Sequence, residues 1–399
     1  MRKLLLLILV AVGLVAVTAC GGGKKTRVEV YTIDVDGRTD QFVAAFIAYF
    51  PNKVQAHPGD EIDFNSIYNG EPHTVTLGTD VDAVFNLIAE ACPNGGLADP
   101  ACAEGPPEQY ADRYNAADAK LPQFLPEGPG DVIQAAGAPC YLTSGSAPAD
   151  GSACTADQQQ QVDFDGTQTY YNSGFLPEGA VFKVKLSTDI EPGTYNYYCL
   201  LHREGMAGTI TVVDKDTNVP SPSEAAQEGE AAFNDMVTKL KPAYDSLSSL
   251  TADAAQAGAF SEEVQEGSVN EFGPKQLSIA VGDSVTWTVL GPHTISFNAP
   301  EEAKDGILAK GDDGLYHASE AAMAPAGGPG APEPDPSADP SVPIVIDAGE
   351  WDGQGELSSG FILSFGEPTY QYKVTFTTAG TYNYVCLIHP GMLGSVTVE

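Results

Sequence analysis

The chain has 399 residues, with 54 acidic side chains against 19 basic ones and a formal net charge of −35. Such a surface is a poor partner for nucleic acid or anionic lipid, and it steers a basic protein toward itself with on-rates that fall as salt rises. The length suggests two or three domains.

At the N-terminus, Arg2 and Lys3 precede an apolar run from Leu4 to Val17, which closes on Val17-Thr18-Ala19-Cys20 and three glycines. A basic start, an apolar stretch shorter than the ~20 residues of a bilayer span and small residues at its end are the layout of a secretory signal. The segment also resembles a bacterial lipobox. That implies cleavage before Cys20, a lipid on that cysteine and residues 20–26 as a tether. The protein would then be exported and anchored at the outer face of the cytoplasmic membrane, in a periplasm or at a cell surface. Losing residues 1–19 removes Arg2 and Lys3 and no acid, leaving 17 basic residues against 54 acidic ones, a charge of −37.

The stretch "FPNKVQAHPGDEIDFNSIYNGEPHTVTLG" (50–78) alternates as two strands around Gly-Asp and then opens a third at Pro-His-Thr. An insertion follows from about 86 to 169 and holds Cys92, Cys102, Cys140 and Cys154. In an exported protein four such cysteines are expected to form two disulfides. Of the three pairings, closure of short loops favours 92 with 102 and 140 with 154. A run of alternating aromatics then ends in "YNYYCLLHREGM" (195–206), followed by the strand "GTITVV".

Ser221-Pro222-Ser223-Glu224 supplies an N-cap, a proline at the first helical position and a capping-box glutamate. Phe233, Met236, Val237, Leu240, Tyr244 and Leu247 follow at helical spacing, predicting a linker helix that packs on a domain and kinks near Pro242. Beyond it the first pattern returns. "FGPKQLSIAVGDSVTWTVLGPHTISF" (272–297) parallels the earlier strands, and "YNYVCLIHPGM" (382–392) parallels the earlier aromatic run, with Cys199 on Cys386 and His202 on His389. The intervening insertion, 299–343, contains "APAGGPGAPEPDPSADPSVP" and is expected to be irregular. The reading is all-β: domain 1 over 27–214, a helical linker over 215–265 and domain 2 over 266–399, each domain a small sandwich.

If the strand ending at His73 lies beside the one ending at Cys199, the fold gathers His73, Cys199, His202 and Met206. The second copy gathers His293, Cys386, His389 and Met392. Two imidazoles and a thiolate with a weak thioether on the axis are the set that holds copper for one-electron transfer. Zinc prefers four strong ligands, and a thioether is a poor one. The Cys-x-x-Cys-His of haem attachment is absent. A Cys-His nucleophile would need neither the methionine nor a second copy.

These segments resemble the cupredoxins, the plastocyanin, azurin and amicyanin group of blue copper proteins. "TTAGTYNYVCLIHPGMLGSVTVE" is similar to the amicyanin end, with its Cys-x-x-His-x-x-Met spacing. The first copy is closer to the plastocyanin type, with three residues between His202 and Met206 where plastocyanins usually have four. The resemblance covers roughly 27–85, 170–214, 268–298 and 344–399. It implies cupredoxin-like Greek-key sandwiches, each with one type 1 copper near one end. Electrons would enter through a partly exposed His202 or His389, with Leu200 and Leu201, or Leu387 and Ile388, as a docking patch. Where many members carry an asparagine after the first histidine to tie the ligand loops, this chain has Thr74 and Thr294, whose hydroxyls would substitute.

The function expected is a lipid-anchored carrier with two copper centres and no enzyme activity. Its partners would be redox proteins such as c-type cytochromes or a membrane oxidase, basic at the contact. Copper storage or delivery uses the same ligands and is the alternative. A multicopper oxidase or nitrite reductase needs a further histidine-rich centre, and only His57 and His317 remain for one.

Overall fold

The computed structural model describes residues 27–399, apart from 68–69, 95–101, 103–104, 125–129, 145–160, 302, 304–305 and 336. The leader, Cys20 and Cys154 lie outside the described residues. No helix among those described is long and apolar enough to cross a membrane.

The architecture is mostly β, and the alternation in the sequence drives it. Val30–Val35 buries Tyr31, Ile33 and Val35, and Glu61–Ser66 buries Ile62, Phe64 and Ser66. Residues two apart share a face, so each strand offers one apolar side to a facing sheet. One four-stranded sheet runs Tyr49–Phe50, Val30–Val35, Glu61–Ser66, Val181–Lys185. It encloses a core with a five-stranded sheet ordered Lys53–Ala56, Arg203–Val212, Gly193–Cys199, Thr76–Leu77, Tyr171–Asn172.

The second half repeats the plan. A sheet built on Ser284–Val289 and Tyr370–Phe376 faces one ordered Gln276–Ile279, Leu393–Val398, Gly380–Val385, Ser296–Phe297, Leu357–Ser358, around Trp287, Phe297 and Tyr384. The equivalence extends to strand direction. Val30–Val35 runs parallel to Glu61–Ser66 as Gln256–Phe260 runs parallel to Ser284–Val289. The strand after each cysteine motif runs parallel to the Pro-Lys strand, Arg203–Val212 beside Lys53–Ala56 and Leu393–Val398 beside Gln276–Ile279. The Tyr197 ring lies against Gly208 and the Tyr384 ring against Gly394, so closely that a Cβ at either glycine would sit 2.3 Å from the ring.

Three features depart from the sequence reading. Gln256–Phe260, inside the expected linker, is a strand of the second half; its small residues Ala257, Gly258 and Ala259 gave no alternating signal. The first insertion begins with helix α1 (Thr79–Ala91), followed by α2 (Glu108–Asp118) and α3 (Gln134–Gly137). Cys92 is bonded to Cys102 as expected, and Cys140 is also in a disulfide. The second insertion is not irregular throughout. Leu308–Lys310 and Tyr316–Ala318 form a hairpin around Asp312-Asp313-Gly314, where Gly314 takes a positive φ. That hairpin bonds to the first insertion, with Ile133 N–H donating to the Tyr316 carbonyl and Ala318 N–H to the Asp131 carbonyl.

Helix α4 (Pro222–Ser248) carries the predicted capping box at Ser221 and Glu224, and Pro242 lies inside it. Val237, Leu240 and Leu247 are buried, and Phe233, Met236 and Tyr244 pack beside Phe42, Phe46, Phe50 and Val269 from both halves. Full burial of such side chains contributes about 1.5–3 kcal/mol each, so the helix holds the halves together. The halves also share a sheet. Ala44–Phe46, early in the chain, is the edge strand beside Gly267–Gly273 of the second half.

Candidate metal centres

Each cysteine motif begins where a strand of the five-stranded sheet ends. Cys199 closes Gly193–Cys199, whose Tyr198 and Tyr197 pair with Thr76 and Leu77. That pairing brings the preceding Pro-His-Thr turn against the thiol, as the sequence reading required. Among the described residues two groups could hold a metal ion: His73, Cys199 and His202, and His293, Cys386 and His389. In each, one ligand atom per residue lies within 4.8 Å of the others. Cys199 Sγ is 3.9 Å from His73 Nδ1, while Cys386 Sγ is 3.9 Å from His293 Nδ1 and 3.5 Å from His389 Nδ1. Met206 and Met392 are fully buried in the same clusters as their cysteines.

The threonines tie the loops as the resemblance implied. Leu200 N–H donates to Thr74 Oγ1 at 2.9 Å and Leu387 N–H to Thr294 Oγ1 at 2.8 Å. The backbone N–H of each threonine points at the thiol, 3.4 Å from Sγ in both centres. Two donors thus fix the cysteine loop onto the histidine turn.

The outward nitrogens of all four rings are already engaged. His73 Nε2 lies 3.0 Å from Asp36 Oδ2, and His293 Nε2 lies 3.0 Å from the Leu290 carbonyl. His202 Nε2 is 2.9 Å from Glu71 Oε2, and His389 Nε2 is 3.0 Å from Glu71 Oε1. A ligating histidine is oriented in this way by a partner on its far nitrogen. It leaves Nδ1 facing inward, and His202 Nδ1 is buried with no hydrogen-bond partner among the described residues. Gly258 permits the second arrangement: a Cβ there would lie 2.1 Å from His293 Nε2.

Charge follows geometry. Burial alone would raise the Cys199 thiol, but His202 and His73 hold it well below its ordinary value. Cys386 is likewise raised by burial and lowered further by His389 and His293. Burial opposes the charged form of His73, yet Asp36 and Cys199 push its pKa up to about 10. Burial also opposes a charged His202 and His389, but Glu71 and the thiols raise each to about 9. His293 lacks a carboxylate partner, and burial leaves it below its usual value. Glu71, penalised by burial, is held well below the carboxylate range by His202 and His389. Low-pKa thiols with inward nitrogens suit a soft, imidazole-binding metal such as copper.

One implication of the resemblance is overturned at the second centre, where His389 is fully buried; at the first, the His202 side chain keeps 14% of its surface and stays partly exposed. Leu200, Leu387 and Ile388 are buried and Leu201 half-buried, so they form no open docking patch. The insertions account for part of this cover: Leu200 packs with residues of α1 and α2, and Leu387 with Ala303 and Ala322. Glu71 also lies over both second histidines, one oxygen on each Nε2.

Asp36 and Glu71 were not foreseen. The available signal was a break in the repeat, where "GEPHT" in the first copy stands against "LGPHT" in the second. The added residue of the first ligand loop also acquires a place. Arg203 adopts a positive φ at the start of a bulge that runs to Ala207, pairs with Asp118 of α2 at 3.0 Å, and is followed by Glu204, which accepts from the Tyr114 hydroxyl.

No protein-family model matches the chain, and neither does any curated protein. Among solved structures the chain is similar to cupredoxins. A reduced auracyanin from the photosynthetic bacterium Roseiflexus castenholzii is 16% identical, with 46% of this chain and 96% of that one covered and a TM-score of 0.22. A reduced Cu(I) form of an amicyanin mutant is 21% identical over 37% of this chain and 82% of its own, with a TM-score of 0.18. The multicopper oxidase mgLAC covers 94% of this chain and 87% of its own at 10% identity and a TM-score of 0.20. At such scores these likenesses carry no weight for mechanism; the mostly-β architecture and two His, Cys, His groups are consistent with a cupredoxin-like sandwich.

Proposed function

We propose that the protein is an electron-transfer protein with two type 1 copper centres, one in each of two tandem Greek-key domains. The ligands would be His73, Cys199, His202 and Met206 in the first, and His293, Cys386, His389 and Met392 in the second. The observation that carries the reading is the orientation of the imidazoles: outward nitrogens held by Asp36, Glu71 and the Leu290 carbonyl, inward nitrogens gathered on a buried thiol. Copper held there would supply one-electron exchange.

The chain's own part is to prevent rearrangement. Thr74 and Thr294 lock each cysteine loop, and the second-sphere partners fix each ring, so the ligands are set before the metal arrives. Burial excludes water from the thiolates. The leader supports a place outside the cytoplasmic membrane on a Cys20 lipid, and the acidic surface favours a basic redox partner such as a c-type cytochrome. An enzymatic copper centre would need more imidazoles. His57 bonds the Thr217 carbonyl, and His317 the Gly130 carbonyl and Asp313.

Reconstitution with copper tests the reading. It should give two metal ions per chain, intense blue absorption when oxidised and small hyperfine splitting in EPR. A colourless Cu(II) form with both sites filled refutes it. Rapid electron exchange with a soluble cytochrome c separates a carrier from a store, for which exchange is negligible.

A further inference from the structure

Glu71 is the place where the two centres meet. Its side chain is 6% exposed, and its two oxygens divide between the centres, Oε2 at 2.9 Å from His202 Nε2 and Oε1 at 3.0 Å from His389 Nε2. His202 belongs to the first centre and His389 to the second; His389 turns Nδ1 to its own thiol at 3.5 Å, and His202 Nδ1 is buried without a hydrogen-bond partner among the described residues. A buried carboxylate costs several kcal/mol unless opposing charge offsets it. Here the offset comes from the two rings assigned to metal binding. The equivalent position in the second copy is Gly291, so one carboxylate serves both.

We propose that Glu71 joins the two centres into one redox unit, with an electron passing between them along His202, Glu71 and His389. This inference rests on the copper reading above. In the step one electron leaves the reduced centre, whose copper goes from Cu(I) to Cu(II), and arrives at the oxidised centre, whose copper goes from Cu(II) to Cu(I). No atom crosses: His389 Nε2 is hydrogen-bonded to one oxygen of the carboxylate, and His202 Nε2 is ion-paired with the other. An ion pair serving only to hold the halves together would have no need of the ligand rings, since α4 and the shared sheet already do that.

The test uses the full chain loaded with copper and oxidised, then reduced by a fraction of an equivalent with a pulse-generated radical. Absorbance follows redistribution between the centres. The expected result is a rate independent of protein concentration, slowed about 10–100-fold in Glu71→Ala, the range for loss of an outer-sphere partner. Glu71→Gln, which keeps one acceptor and the volume, should fall between. A second readout is free of electron transfer. In the all-Cu(I) protein the Nε2 protons of His202 and His389 should be protected from exchange, and both should shift in Glu71→Gln. Fewer than two coppers in the wild type overturns the copper reading and the relay with it. Two coppers with equal rates in wild type and Glu71→Ala overturn the relay alone. If Glu71→Ala does not fold, free exchange of either Nε2 proton in the wild type overturns it.

Discussion

Replacing Thr294 with valine isolates one hydrogen bond at almost constant volume. Thr294 is fully buried, and its hydroxyl oxygen accepts from Leu387 N–H at 2.8 Å and from the Ser296 hydroxyl at 3.1 Å. Valine cannot accept either. Ser296 retains Ser358 at 2.8 Å, so its loss is partial, whereas the Leu387 N–H is left in a buried loop beside the second centre. An orphaned buried donor costs about 1–3 kcal/mol, against the 0.5–1.5 kcal/mol net value of an ordinary hydrogen bond. Thr294→Val should therefore lower the stability of the metal-free protein by about 1–3 kcal/mol in urea unfolding, near the value for Thr74→Val, where Leu200 N–H loses the same partner. In the copper-loaded protein only the absorption band of the altered centre should shift, because the loop holding its cysteine has lost a tether. A Thr294→Val protein as stable as wild type, with an unchanged band, would refute the idea that the threonines fix these loops.

The centres should differ in potential, the first being lower. His73 leans on the Asp36 carboxylate where His293 leans on the neutral Leu290 carbonyl, and negative charge favours the more positive oxidised metal. Asp36→Asn should raise the potential of the first centre alone in a spectroelectrochemical titration; a drop, or an equal shift in both, counts against the assignment. Gly258→Ala should abolish the second centre and spare the first, since its Cβ would land on His293 Nε2 and Gly258 has a φ of +77°. Copper content falling by half is the measurement. The hairpin of the second insertion should loosen as pH rises. The Gly130 carbonyl and Asp313 raise the pKa of His317 above its ordinary 6.5, so the stability it contributes is full below 6.5 and is lost as pH climbs through the folded value. Hydrogen exchange at 308–318, corrected for its intrinsic pH dependence, should show that loss, and His317→Ala should remove it.

The candidate ligands were legible because each centre is written in two short segments, Pro-His-Thr and Cys-x-x-His with a following methionine, and the repeat supplied them twice. Helix α4 was legible from its cap and stripe. The outer partners were not, because Asp36 and Glu71 act across distances that no local period records. Glu71 lies two residues from His73, yet its contacts are at His202 and His389. The burial of His389 was hidden for the same reason, since Glu71 reaches it from the other centre; the cover over Leu200 comes from α1, whose Val81, Val84, Leu87 and Ile88 recur at helical spacing without saying what they face. Gln256–Phe260 escaped notice because a strand of small residues carries little alternation.

The strand Ala44–Phe46 also bears on how the chain can be divided. A polypeptide starting after residue 214 would contain every ligand of the second centre and yet lack the edge of its own sheet, with Gly267–Gly273 open to pair with whatever strand is offered. A synthetic peptide spanning Val43–Ile47 would be the natural complement for such a fragment. The two centres are thus the product of a single interleaved fold, and anyone wishing to study one in isolation must silence the other by mutating its ligands rather than by cutting the chain.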